Sequence, residues 1–208
     1  MLSQQGFDLW ADQYDKTVQI SEDKNQYPFA GYKKILNAIY NEIMQHKHAK
    51  VLDIGMGTGV LSSKLYQYDH LIDGIDFSPK MISIAQSKMP AAALIEWDIS
   101  KGLPRERMRN EYDFIVSTYT LHHLADNEKI TFITDLLSVL TDDGKILIGD
   151  IAFASREELN QCKQDHQQNW DDDEFYFVYN EIKTPLEHLC KCEFVPISHC
   201  GGVFIISK

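Results

Sequence analysis

At 208 residues, the chain has the size of one domain and can bury roughly 70% of the surface its unfolded form exposes, so no partner is needed for folding. Its 20 Lys and Arg against 31 Asp and Glu leave a formal charge of −11, a field that repels polyanions, disfavours nucleic acid and anionic membrane as partners and suits a small or neutral substrate. The opening stretch MLSQQGFDLWADQYDKTV has no basic segment followed by an apolar one, and no run of about 18 apolar residues occurs anywhere, so a cytoplasmic protein is expected.

In chain order, Ile35, Ile39 and Ile43 are spaced by four and predict a helix, and VLDIG from Val51 predicts the first strand. Thr58 to Tyr66 reads as a helix and LIDGID as a second strand. SPKMISIAQSKM reads as a helix with Ser78 as N-cap and Pro79 at its first position. ALIEW and YDFIVSTY are the third and fourth strands. From Asp126 to Leu140, the residues Ile130, Ile133, Leu136, Leu137 and Leu140 form one apolar stripe before Gly144 and the fifth strand, KILIGDI. TPLE, Thr184 to Glu187, has the form of a capping box that starts a short helix. CEFVPIS and GGVFIISK then predict an antiparallel hairpin.

Strands and helices that alternate in this way imply a parallel sheet covered on both faces, an α/β fold. The acidic run DDDE, Asp171 to Glu174, is expected in a solvated loop. Cys162, Cys190, Cys192 and Cys200 are too few and too clustered for a disulfide framework and are expected as reduced thiols. His188, Cys190, Cys192, His199 and Cys200 crowd the C-terminal end, but without a CxxC pair they read as ordinary strand and helix positions. No metal is expected.

The segment with chemical content is VLDIGMGTG. In an open α/β sheet, ligands bind beyond the carboxyl ends of the strands, where the first strand and its neighbour diverge. Gly55, Gly57 and Gly59 give GxGxG, whereas a dinucleotide fingerprint requires GxGxxG. Asp53 precedes the first glycine by two residues, where its charge would oppose a pyrophosphate, so the loop suits a ligand that carries positive charge.

On these residues the chain resembles the class I S-adenosylmethionine-dependent methyltransferases, of the small bacterial type similar to the ubiquinone and menaquinone C-methyltransferases. The resemblance runs from Phe7 through Ile206. It implies a Rossmann-like, mostly parallel seven-stranded sheet in a single domain, 1–208. Within it, 1–30 would hold an N-terminal lid helix, 31–154 the cofactor-binding core, and 155–208 an acceptor-side insertion and the C-terminal hairpin.

The resemblance also implies roles. Asp53, Ile54, Gly55, Met56, Gly57, Thr58 and Gly59 would meet the methionine part of S-adenosylmethionine. Asp76 would accept the ribose hydroxyls, Phe77 and Met81 would flank the adenine, Asp98 would contact the adenine amino group and Ile99 would offer its backbone. The family more often has a small residue before that third acid, and here it is Trp97. Ser117 and Thr118 would approach the cofactor by backbone. His122 is the candidate catalytic acid/base group, with His123 behind it in rank, because imidazole titrates near neutral pH. In FDLWADQYDKTV, the residues Phe7, Trp10, Tyr14 and Asp15 match the lid, with Tyr14 beside the sulfonium.

Tyr27, Phe29, Tyr32, Trp170, Phe175, Tyr176 and Phe177 supply aromatic surface for an acceptor wall or for core packing. The expected activity is methyl transfer to a small-molecule acceptor, with S-adenosylhomocysteine as product, by a monomer or homodimer. Rival readings are a non-catalytic cofactor-binding module, an NAD-dependent oxidoreductase and a methyltransferase acting on macromolecules. The sequence STYT contains nothing like the NPPY segment used on flipped adenines.

Overall fold

Ile35, Ile39 and Ile43 are all buried on one face of helix α1 (Tyr32–Ile43), as their spacing requires. The computed structural model describes residues 26–208. After α1 come β1 (Lys50–Ile54), α2 (Ser62–Tyr66), β2 (Leu71–Asp76), α3 (Pro79–Lys88), β3 (Ala93–Glu96) and β4 (Tyr112–Thr118). The chain continues through α4 (Asp126–Ser138), β5 (Leu140–Phe153), α5 (Arg156–Asp165), β6 (Phe177–Val178), α6 (Tyr179–Leu186), β7 (Lys191–Pro196) and β8 (Gly201–Ser207). Single 3₁₀ turns occupy Ile99–Lys101 and Leu121–His123.

Seven strands form one path in the order β3-β2-β1-β4-β5-β8-β7, and the two-residue β6 pairs with β5 off that path. The first five strands run parallel, while β8 is antiparallel to both β5 and β7. Because β1 lies between β2 and β4, successive connections leave it toward opposite edges of the sheet. Their divergence opens a crevice beyond its carboxyl end.

Side chains of the central strands alternate between two cores. Val51, Val116, Leu147 and Ile151 face one side with α1, whereas Leu52, Ile54, Ile115, Ile146 and Ile148 face the other with α4. Burying each of these aliphatic side chains contributes roughly 1.5–3 kcal/mol. Gly149 has a steric role in this packing. A Cβ there would stand 3.0 Å from Ile39 Cδ1 and collide with Ile35, so its absence lets α1 settle on β5.

Helix α3 starts as its sequence predicts. The Ser78 hydroxyl accepts the Met81 N–H at 3.2 Å, and Pro79 takes the first position, where no N–H is needed. Ser78→Ala is expected to cost about 1 kcal/mol, a fall in Tm of about 2–4 °C for a chain of this size. An unchanged thermal melt would show that the cap contributes nothing.

Three elements differ from expectation. Helix α2 begins at Ser62 instead of Thr58, because the left-handed backbone of Gly59 (φ 73°) keeps the preceding residues in turns. TPLE ends a helix and does not start one: α6 begins at Tyr179, Pro185 falls in its last turn, and the Thr184 hydroxyl donates to the Asn180 carbonyl at 3.2 Å. Pro185 has no N–H to give the carbonyl four residues back, and the helix ends at the next residue, Leu186. Strand β5 begins at Leu140, ahead of Gly144, because Tyr112 pairs with Leu140 across a register shift.

Candidate functional site

A crevice open to solvent lies at the ends of β1, β2 and β4, with a cavity volume of about 80 Å³. Its floor is the loop after β1. The Gly55 and Met56 N–H groups donate to the Ile75 carbonyl at 2.8 and 3.1 Å. The Gly57 N–H donates to Asp76 Oδ2 at 2.8 Å, while Asp76 Oδ1 accepts the Ser78 N–H at 2.9 Å. One carboxylate at the end of β2 therefore ties the β1 loop to the start of α3.

The three loop glycines serve different purposes. All have positive φ, yet a Cβ on Gly55 would run into Thr120, and one on Gly59 would stand 3.0 Å from Met89 Cε. Only at Gly57 would a Cβ meet nothing within 4 Å. Gly55 and Gly59 thus permit packing, and Gly57 leaves backbone open to the crevice.

Asp53 lines the crevice and is 2% exposed. Its Oδ2 accepts the Ser62 hydroxyl, but Oδ1 has no partner among the described residues. Burial pushes its pKa up to about 7; the Ser62 hydroxyl opposes this and the charge of Asp76 reinforces it. A buried carboxylate oxygen without a donor is costly, and a cationic ligand group would supply one.

Gly55, Met56, Gly57, Thr58, Asp76, Phe77 and Met81 line the same space, joined by Tyr32, Thr118, Tyr119, Thr120 and His123. Other expected site residues lie elsewhere. Ile54 is buried in β1, and its carbonyl accepts the Ser117 hydroxyl at 3.1 Å, so that side chain points into the sheet. Asp98 caps the 3₁₀ turn after β3, accepting the Ser100 N–H at 3.0 Å and the Ser100 hydroxyl at 2.7 Å. Ile99 packs against the core on the α4 side of the sheet, and Trp97 is tied by its indole N–H to the Gly102 carbonyl at 2.8 Å. Asp98, Ile99, Ser117 and Gly59 are not among the residues that line the crevice. Phe7, Trp10, Tyr14 and Asp15 lie outside the described residues.

The two histidines exchange their expected places. His123 lines the crevice, whereas His122 is 5% exposed behind it. His122 Nδ1 lies 2.6 Å from the fully buried Asp150, and its Nε2 lies 3.5 Å from Glu174. Burial alone would lower the pKa of His122, but the two carboxylates outweigh it and raise it well above the ordinary range. An imidazole already protonated at neutral pH is no general base. His123 moves the other way, down to about 4, through burial and the neighbouring imidazolium.

Sequence reasoning missed Asp150 and Glu174. The first sits inside an apolar strand run, and the second closes the acidic run taken as solvated. Glu174 also accepts the Tyr176 hydroxyl at 2.8 Å, and Tyr176 in turn meets the Tyr27 hydroxyl. Tyr27 stacks on Trp170 with centroids 5.2 Å apart. These aromatics pack on one another, while Phe29 and Tyr32 pack on Tyr119. At the C-terminal end, His199 approaches Cys162 and His166, with ligand atoms within 4.8 Å of one another. No helix among the described residues is long and apolar enough to cross a membrane.

Comparison with known proteins identifies what this crevice belongs to. Residues 51–144, which span β1 to the start of β5, match the methyltransferase domain family. An uncharacterized methyltransferase of Alkaliphilus oremlandii is 35% identical over 183 residues, covering 85% of this chain and 83% of the relative. The chain belongs to the class I S-adenosylmethionine-dependent methyltransferases. Solved structures show the same fold at lower sequence identity. DhpI in complex with SAH superposes with a TM-score of 0.71 at 16% identity, covering 98% of this chain and 93% of that one. Magnesium protoporphyrin IX methyltransferase from Synechocystis, with bound SAH, gives 0.65 at 18% identity and coverage of 86% and 84%. The crevice of this methyltransferase lies at the switch point of the sheet, where the fold class holds its ligands.

Proposed function

We propose that this methyltransferase binds S-adenosylmethionine across the ends of β1 and β2 and transfers its methyl group to a small-molecule acceptor. The observation that carries the cofactor reading is the pairing of Asp76, which anchors the β1 loop, with Asp53, whose buried Oδ1 has no donor among the described residues. When bound, S-adenosylmethionine supplies an electrophilic methyl group on a positively charged sulfur.

The chain's own residues divide the work. The carboxylate of Asp76 accepts the ribose hydroxyls. Phe77 and Met81 provide apolar flanks for the adenine, so that Asp98 acts there only through the turn it caps. Asp53 faces the ammonium of the methionine part. Thr118, Tyr119, Thr120 and His123 form the acceptor side, where alignment and exclusion of water lower the barrier. The charge of −11 supports a small acceptor over nucleic acid.

Parallel calorimetric titrations with S-adenosylmethionine, S-adenosylhomocysteine and reduced NAD test the reading. Micromolar binding of the first two alone is expected; binding of the dinucleotide instead would overturn it.

Asp53 gives a pH dependence of definite sign. Below about pH 7 its carboxyl is largely protonated in the free protein, and an ammonium favours the ionised form, so binding must release a proton. Affinity for S-adenosylhomocysteine is therefore expected to rise from pH 5.5 to 7, by at most about tenfold per pH unit. The ligand's own α-ammonium stays protonated throughout this range. The rise should vanish in Asp53→Asn, and a slope shared by both proteins would remove Asp53 from the ligand's surroundings.

A further inference from the structure

Beside the crevice, three side chains that hold no part of the cofactor reading converge on one point. Glu174 Oε1 lies 3.5 Å from His122 Nε2 and 3.8 Å from His123 Nδ1. One ligand atom from each of the three falls within 4.8 Å of the others. Donors held about 2.1 Å from a common ion stand about 3.0–3.4 Å apart, depending on the angle between them, so small side-chain rotations bring this set to bonding geometry.

Two of the three are already oriented from behind. Asp150 Oδ1 engages His122 Nδ1 at 2.6 Å and leaves Nε2 facing Glu174, while the Tyr176 hydroxyl occupies Glu174 Oε2 and leaves Oε1 facing both rings. A carboxylate behind a histidine is the usual outer support of a metal-bound imidazole.

The charges point the same way. Asp150 is fully buried with Oδ2 unpartnered among the described residues, and Glu174 is mostly buried. The nearby buried lysine, Lys129, is engaged by Asp126 and by the Phe175 carbonyl. With both imidazoles neutral, the two carboxylates carry a charge that a divalent cation balances, so binding of the ion displaces the proton that His122 otherwise holds.

We propose that His122, His123 and Glu174 form a binding site for a divalent transition-metal ion at the acceptor edge of the crevice. Two imidazoles and one carboxylate suit Fe²⁺, Co²⁺ or Zn²⁺, whereas Mg²⁺ and Ca²⁺ favour oxygen-only shells. Three protein ligands leave coordination positions for water or an acceptor oxygen. The ion would join the turn after β4 to the segment before β6. The proposal rests on this cluster alone and not on the cofactor reading.

The test is Co²⁺ titration of the purified full chain after treatment with a chelator, followed by visible absorption and by metal analysis after dialysis. One Co²⁺ per chain, displaced by Zn²⁺, is expected. Glu174→Gln and His123→Ala should each weaken uptake at least 100-fold, and Asp150→Asn about 10–100-fold. His123 is partly exposed, so its variant is the safer one for folding, and calorimetry with S-adenosylhomocysteine checks each variant separately. Substoichiometric uptake, or uptake unchanged in both Glu174→Gln and His123→Ala, overturns the proposal and leaves a cluster joined by a shared proton. Uptake with a thiolate-to-cobalt absorption band, lost in Cys162→Ser, also overturns it by assigning the ion to Cys162, His166 and His199. Metal uptake without S-adenosylhomocysteine binding would sink the cofactor reading alone.

Discussion

Replacing Asp76 with alanine is expected to weaken S-adenosylhomocysteine binding by about 1.5–3 kcal/mol, or roughly 10- to 150-fold, the range for losing hydrogen bonds to a charged acceptor. Two effects combine. The ribose hydroxyls lose their acceptor, and the Gly57 and Ser78 N–H groups lose the carboxylate that holds the β1 loop against the start of α3. Asp76 is only 6% exposed, so its contacts are weakly screened by water. Calorimetry on both proteins measures the loss, and a thermal melt separates it from unfolding. An affinity unchanged in a folded variant would show that the acid at the end of β2 does not touch the ligand.

Gly55→Ala is expected to lower stability more than Gly57→Ala. Its φ of 68° costs an alanine about 1–2 kcal/mol, and the added carbon would sit 2.7 Å from Thr120 Cβ, an overpacking of about 1–3 kcal/mol more. The sum, about 2–5 kcal/mol, corresponds to a fall in Tm of roughly 4–20 °C. Gly57→Ala is the comparison, since it shares the backbone penalty but finds open space. A Tm for Gly55→Ala equal to that of Gly57→Ala would show that Thr120 moves aside at no cost.

The parts of this molecule legible in the sequence are those governed by short-range pattern. The spacing of Ile35, Ile39 and Ile43 located α1, Ser78 and Pro79 located the start of α3, and Asp53 and Asp76 fall at the ends of β1 and β2, one residue before the last of β1 and at the last of β2. What stayed hidden depends on side-chain direction in irregular segments. In a 3₁₀ turn, adjacent residues point about a third of a revolution apart, and that difference sends His123 to the crevice and His122 to Asp150. Asp98 reads as a ligand-binding acid until its contacts with Ser100 are seen. Glu174 was masked by the three aspartates before it, which are exposed while it is not. TPLE misled because a capping signal says nothing of whether the chain before it is already helical.

The antiparallel strand β8 lies between β5 and β7, not at the sheet's margin. Its backbone pairs with residues 146–151, fifty to sixty positions earlier in the chain. During synthesis at about 5–20 residues per second, β5 therefore waits several seconds with one hydrogen-bonding side open after its own residues have emerged. Over that interval the half-built sheet presents an apolar, unpaired edge of the kind that recruits foreign strands. The order of strands thus places the hazard of misassembly late in the birth of the protein.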